Sequence, residues 1–324
     1  MTKAIRIHEN GGPDVMKWED VDVGDPGAGE IRVKHSAVGL NFIDVYHRNG
    51  LYKLPFPSGI GLEAAGVVEA AGAGVDDLKA GDRVAYGTGP LGAYSQERNM
   101  PAGMAVRIPD GVSDETAAAM MLQGMTVEYL LCRTFPVQKG QTILFHAAAG
   151  GVGLIACQWA KAIGATVIGT VGNDEKAELA KAHGCDHAIV YTRENFVERV
   201  KEITDGEGVP VVYDSIGKDT FMDSLDCLAP CGYMVNFGSA SGPPDPVDLG
   251  ILAPKGSLFV TRPTLMTYCA KRDDLVLSSS RLFEMLSSGK VKIEINQTYP
   301  LSEAPQAHTD LEGRKTTGST IFTV

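Results

Sequence analysis

No run of apolar residues in this 324-residue chain is long enough to cross a bilayer. The opening segment, MTKAIRIHENGG, has no signal-peptide core. Both absences lead us to expect a cytoplasmic protein. A basic excess is missing too: 29 Lys and Arg face 40 Asp and Glu, a net charge of −11. That disfavours nucleic acid as a partner, because such binders carry a basic face. The six cysteines form no CxxC pair and fall mostly in helix- or strand-like segments, as reduced, buried thiols do. Cys227 and Cys231 are four apart, a helix-face spacing, but no further Cys or His stands nearby to complete a metal site.

What is present changes character along the chain. Up to about residue 120 the pattern predicts short strands, at Ile5–His8, Glu30–Val38, Ala64–Ala70, Arg83–Tyr86 and Tyr94–Arg98. Gly- and Pro-rich turns such as GDPGAGE separate them, which suggests a partly closed β domain. Val112–Phe135 has a long helical pattern with Ser113 as its N-cap. From about residue 140, strands alternate with helices. Thr142–Phe145, Thr166–Val171, His187–Val190 and Pro210–Tyr213 are strands, followed by helices at Val152–Ile163, Asp174–His183, Glu194–Thr204 and Asp219–Leu228. Tyr233–Phe237 and Leu258–Val260 add two more strands. The economical solution is a doubly wound parallel sheet. The strands IEINQTYP and STIFTV near the end are free to rejoin the first domain.

Between the first of these strands and its helix lies HAAAGGVG, residues 146–153. Ala148, Gly150 and Gly153 form an AxGxxG pattern in the strand–turn–helix context that binds dinucleotides. Gly151 and Val152 complete the loop. Glycine lets the backbone approach a pyrophosphate, and the helix N-terminus offers unpaired N–H groups to it. NAD sites place a carboxylate at the tip of the next strand to hold the ribose hydroxyls. Here that tip is Gly172, with Lys176 and Tyr191 available to a 2′-phosphate, which favours NADPH. Asp174 or Glu175 as a ribose ligand is the rival reading, and either also suits a helix N-terminus.

The ordered segments GLNFIDVYHRNGLY, PSGIGLEAAGVVEAAGAGV, AGDRVAY, LGAYS, FHAAAGGVGLIACQWAKAIGATVIGTVG and VVYDSIG resemble the medium-chain dehydrogenase/reductase superfamily. The closest resemblance is to its zinc-free NADPH:quinone oxidoreductases, the zeta-crystallin-like branch. It spans essentially the whole chain. It implies an α/β protein with a GroES-like β-rich catalytic domain (1–122 and 263–324) and a doubly wound Rossmann domain that binds NADPH (123–262). Zinc members carry a Cys and a His where this chain has Leu40-Asn41 and Leu62, and a cysteine-rich lobe that is missing between Tyr86 and Tyr94. The resemblance therefore implies no metal. It assigns the acceptor wall to Asn41, Tyr46 and Tyr52. To the cofactor it assigns Thr126, the strand-end residues Asn236, Phe237, Gly238 and Ser239, the sixth-strand residues Phe259 and Val260, and Arg314. It also implies a homodimer, with Gly242–Lys255 and the sixth strand as the expected contact.

Chemistry agrees with a missing Lewis acid. Reducing a simple ketone builds an alkoxide, whose conjugate acid has a pKa of roughly 16, like bulk water. Reducing a quinone builds a phenolate of pKa about 10. The difference is about 8 kcal/mol of basicity, so neutral hydrogen-bond donors are enough for quinones and activated alkenes. The expected activity is NADPH-dependent quinone reduction by hydride or one-electron transfer. Reduction of an alkenal or enone C=C bond is the alternative enzyme. A non-catalytic NADPH-binding protein, crystallin-like or RNA-binding, is the alternative of another class.

Overall fold

The computed structural model describes every residue, Met1–Val324. It divides into two units: Met1–Met125 with Tyr268–Phe283 and Ile293–Val324, and Thr126–Thr267 with Glu284–Lys292.

The first unit is β-rich. A three-stranded sheet runs β2 (Lys17–Val21), β1 (Thr2–Ile7), β4 (Ser58–Gly59). A second sheet is ordered β15 (Ile295–Pro300), β16 (Ser319–Thr323), β3 (Glu30–Leu40), β5 (Ala64–Ala71), β6 (Arg83–Tyr86), β8 (Val106–Arg107), with β7 (Glu97–Pro101) also on β3. The C-terminal strand does rejoin this sheet: β16 pairs antiparallel with Ala37–Leu40 of β3. Ile5, Ile31, Val33, Val68, Tyr86, Tyr94 and Phe322 fill its core. The helices of this unit are α1 (Phe42–Asn49), α2 (Asp114–Ala118), most of α3 (Met121–Tyr129), most of α9 (Arg272–Ser287) and α10 (Ala304–Glu312).

The second unit is the doubly wound sheet. Its strands are β9 (Thr142–Phe145), β10 (Thr166–Val171), β11 (His187–Val190), β12 (Val209–Asp214), β13 (Leu228–Asn236) and β14 (Phe259–Thr261). They lie in the order β11-β10-β9-β12-β13-β14 and are all parallel. Helices α4 (Gly151–Ile163), α5 (Asp174–Ala182), α6 (Phe196–Ile203) and α7 (Phe221–Leu225) connect them. Strand order reverses between β9 and β12, and ligands of such sheets bind beyond the strand C-termini at that point. Short α8 (Leu265–Tyr268) and long α9 (Arg272–Ser287) follow β14.

Several boundaries differ from expectation. The helix predicted over Val112–Phe135 is broken into α2, α3 and a π-turn at Leu130–Thr134. Ser113 does cap α2, accepting the Thr116 N–H. The break is held by distant side chains: Ser319 Oγ donates to the Ala119 carbonyl (2.9 Å), and Glu63 accepts the Leu122 N–H (2.7 Å). Tyr94–Gln96 are not part of β7, because Tyr94 N–H bonds Ile60 and Gln96 N–H bonds Lys3. The helix predicted over Glu194–Thr204 begins at Phe196, since Asn195 is its cap and Glu194 turns back to the Val190 N–H. Cys227 and Cys231 share no helix: α7 stops at Leu225, and Cys231 sits inside β13 with φ +59.

Candidate active site

The dinucleotide loop follows directly from the backbone. After β9, Ala147 takes φ +54 and its carbonyl accepts the Gly150 N–H (3.0 Å), turning the chain back. Gly150 is the N-cap of α4 and offers no side chain to the helix end. The first-turn N–H groups therefore have no side-chain cap, the arrangement an anion requires. At Gly153 a Cβ would stand 2.3 Å from the Ala147 carbonyl oxygen and 2.7 Å from Ala148 Cα. Only glycine lets α4 lie this close to the strand. Ala148 is fully buried, while Gly151 and Val152 are half-buried.

Gly172 opens the turn after β10, and a Cβ there would meet the Tyr191 hydroxyl at 3.3 Å. Tyr191 is exposed and Lys176 half-buried. No carboxylate stands at the strand tip, and Asp174 is engaged by both terminal nitrogens of Arg193 (2.7 and 2.5 Å). Asn236 ends β13, its amide donating to the Gly238 carbonyl (3.2 Å) and bracing the Phe237–Ser239 turn. These segments all lie at strand C-termini of the parallel sheet. Thr126 is buried on α3.

Phe259 and Val260 do not end the sixth strand. Phe259 opens β14, and its ring stacks on Tyr233 at 4.7 Å. Parallel register puts it level with the body of the sheet, so β14 ends at Thr261 instead, with Arg262 directly after it. Arg262 donates to the carbonyls of Asn236 (3.0 Å) and Gly238 (3.1 Å). Sequence reading missed this arginine, whose signal was a cation directly after a short apolar strand. Arg314 belongs to the first unit and is exposed after α10 with φ +57.

In the first unit, Asn41 is the N-cap of α1 and is only 5% exposed. Its Nδ2 donates to Glu63 (2.6 Å) and its Oδ1 accepts from Gln123 (3.3 Å). Those two contacts fix which way the amide faces. Gln123 Oε1 (2.8 Å) shares the single Ser319 hydroxyl proton with the Ala119 carbonyl. Gln123 was not among the expected residues, although it is the lone polar side chain in MMLQGM. Tyr46 is buried on α1 and meets the half-exposed Tyr52 edge-on, with ring centroids 5.5 Å apart. The Tyr52 N–H returns to the Tyr46 carbonyl (3.1 Å), which brings the two rings together. Leu40-Asn41 and Leu62 occupy the positions where zinc enzymes have ligands, and no three His, Cys, Asp or Glu side chains gather as a metal site.

Two carboxyls sit beneath this wall. Burial pushes Glu63 up to about 8, against the opposing pull of the Asn41 and Leu122 donors. Burial likewise pushes Asp44 up to about 7, although Oδ2 accepts from the Asn41 N–H (2.9 Å) and the Tyr94 hydroxyl (3.0 Å). Its Oδ1 is buried without a partner. A folded-state value above the unfolded 3.8 means the folded protein holds the proton more tightly. The associated stability is complete below about pH 3.8 and is lost as pH rises through about 7. Replacing Asp44 with Asn removes this loss. From pH 5 to pH 7 the Asp44→Asn variant should gain about 2 kcal/mol relative to the parent. Urea unfolding at the two pH values measures the gap, and a constant gap would mean that Asp44 does not titrate there.

Residues 27–110 match the alcohol dehydrogenase GroES-like domain, and residues 151–273 match the zinc-binding dehydrogenase family. A quinone oxidoreductase of Pseudomonas aeruginosa is 54% identical, over 99% of both chains. The chain belongs to the medium-chain dehydrogenase/reductase superfamily, in its quinone oxidoreductase branch. Within that superfamily, the structure of an Escherichia coli quinone oxidoreductase complexed with NADPH superposes with a TM-score of 0.98. It is 50% identical and covers 99% of this chain and 100% of its own. A 2-haloacrylate reductase of a Burkholderia species is 47% identical over 99% of both chains.

Proposed function

We propose that this chain is an NADPH-dependent, metal-independent quinone oxidoreductase. The observation that carries the reading is the uncapped glycine loop at the start of α4, and the first unit separately supplies an acceptor wall built from neutral donors. NADPH, when bound, supplies the hydride that converts a quinone to a hydroquinone. The α4 N–H groups from Gly151 to Gly153 fit the pyrophosphate, and Lys176 and Tyr191 fit the 2′-phosphate. Asn236, Gly238 and Ser239 line the strand ends beside them, and Thr126, Phe259, Val260 and Arg314 remain assigned to the cofactor by resemblance alone. Asn41, with its amide held by Glu63 and Gln123, and the Tyr46–Tyr52 pair present hydrogen-bond donors and flat faces to the acceptor. Water completes protonation. Positioning, rather than acid–base chemistry, is then the main source of rate.

The second reading, reduction of an activated C=C bond, is favoured by the likeness to 2-haloacrylate reductase. Both readings need stabilisation of a delocalised oxyanion, so one assay separates them. Loss of NADPH absorbance is followed with a benzoquinone, phenanthrenequinone, an enone and a simple ketone, with and without chelator, and again with NADH. Quinone turnover that is chelator-insensitive and faster with NADPH is the expected result. Enone preference transfers the assignment to an alkene reductase, and binding without turnover points to a non-catalytic role. The reading includes a cytoplasmic homodimer. Six unbridged cysteines support the compartment, and exposed Phe259 and Val260 on the edge strand β14 support the contact. A monomer on sedimentation of the same preparation would remove the dimer from it.

A further inference from the structure

The turns after β10 and β11 carry a feature that the proposed reaction has not used. Thr192 Oγ1 donates to the Gly172 carbonyl (3.1 Å), drawing the second turn onto the first. Arg193, next along, meets Asp174 on the first turn of α5 through both terminal nitrogens, at 2.7 and 2.5 Å. The side chains are 57% and 71% exposed, and so exposed a pair adds little to folding stability. Its geometry matters more. Hydrogen bonding to Arg193 holds the Asp174 carboxyl below its usual range, so the acid is ionised, with both its oxygens engaged by the guanidinium. The two contacts leave Arg193 its Nε–H and one N–H on each terminal nitrogen. Those donors stand at the turns that also carry Gly172, Tyr191 and Lys176.

We infer that Arg193 is a specificity-determining residue, held by Asp174 so that its guanidinium contacts the 2′-phosphate of NADPH. The same pairing engages Asp174, one of the two acids after the strand tip, with Glu175, that could otherwise take the ribose hydroxyls of NADH. The inference rests on the NADPH reading above and adds a residue and a partner to it. A guanidinium is suited to the task, because its planar fork can bind a carboxylate on one edge and a phosphate oxygen on another. Thus an acid in the first turn of α5, which resembles an NAD determinant in sequence, acts here as the anchor of an NADP determinant.

The test is equilibrium binding by calorimetry of 2′,5′-ADP and of 5′-AMP to the parent, Arg193→Gln and the double variant Arg193→Gln/Asp174→Asn. A parent that does not prefer 2′,5′-ADP overturns the NADPH reading and this inference together. If the parent prefers it, Arg193→Gln should weaken 2′,5′-ADP about tenfold, the scale of a lost charge-assisted contact, and leave 5′-AMP within about twofold. A change under about twofold for both ligands overturns the role of Arg193 alone. The double variant uncovers no acid, so it should regain only part of the loss. Full recovery would overturn the phosphate contact, since Arg193 would then act only by masking Asp174.

Discussion

Replacing Gly150 with Asp is expected to weaken NADPH binding by 100-fold or more while leaving the protein as stable as before. The two halves of that expectation come from one position. Gly150 is the N-cap of α4 with φ −80, a backbone that any residue adopts, and an added Cβ meets only the Ala147 carbonyl oxygen at 3.3 Å. Asp is also among the best N-caps, so its carboxylate would take the first-turn N–H groups and hold the helix at least as firmly as glycine does. Those are the donors proposed above for the pyrophosphate, and the new charge would oppose the phosphate. A 100-fold loss is about 2.7 kcal/mol, comparable to losing one or two charge-assisted hydrogen bonds. Gly153→Ala is the contrasting variant. Its methyl would sit 2.3 Å from backbone oxygen, so binding and melting temperature should fall together. Fluorescence titration with NADPH beside thermal melts of the apoprotein distinguishes them. If Gly150→Asp binds NADPH like the parent, the phosphates do not rest on this loop.

The parallel sheet was the most legible part of the chain. Thr142–Phe145, Thr166–Val171 and His187–Val190 are strands to the residue, because a strand covered on both faces is a short apolar run with turns at each end. Ends set by local capping were nearly as clear: Ser113 caps α2 by accepting an N–H three residues along. What stayed hidden was set by side chains remote in sequence. The α2–α3 break depends on Glu63 and Ser319, which lie 59 and 200 positions from the groups they cap. No local periodicity carries that information. The site divides in the same way. The glycine loop shows itself most plainly at Gly153, where the geometry excludes a side chain. The contacts of Asn41 with Gln123, and of Asp174 with Arg193, are meetings of separate segments that no spacing foretells. The start of β14 was misplaced because Leu258 is as apolar as Phe259, and only the register with Tyr233 tells them apart.

The largest loss of stability is expected at Arg48. This guanidinium is 1% exposed, yet every edge is used: Nη2 reaches both Glu312 oxygens (2.9 and 2.8 Å), Nη1 meets His308 Nδ1 (3.2 Å), and Nε donates to the Gly11 carbonyl (3.2 Å). Because the guanidinium has only donors, His308 must accept at Nδ1, and its proton then lies on Nε2, facing the Tyr94 hydroxyl (3.0 Å). Tyr94 in turn donates to Asp44, which receives the Asn41 N–H. Burial, and then Arg48, lower His308 to about 3, so the imidazole stays neutral and the chain of donors keeps one direction. Arg48 thus joins α1, which carries Tyr46, to α10 at the far end of the sequence. Arg48→Ala should lower the unfolding free energy by about 2–4 kcal/mol, from the lost charge-assisted hydrogen bonds and the space left by a buried side chain, since Glu312 is 35% exposed and stays solvated. Arg48→Lys should recover part of it, since an ammonium can keep Glu312 but cannot span His308 and Gly11 as well. Urea unfolding followed by circular dichroism measures both. A loss below about 1 kcal/mol for Arg48→Ala would mean that water replaces these contacts, and that the network does not hold α1 in place.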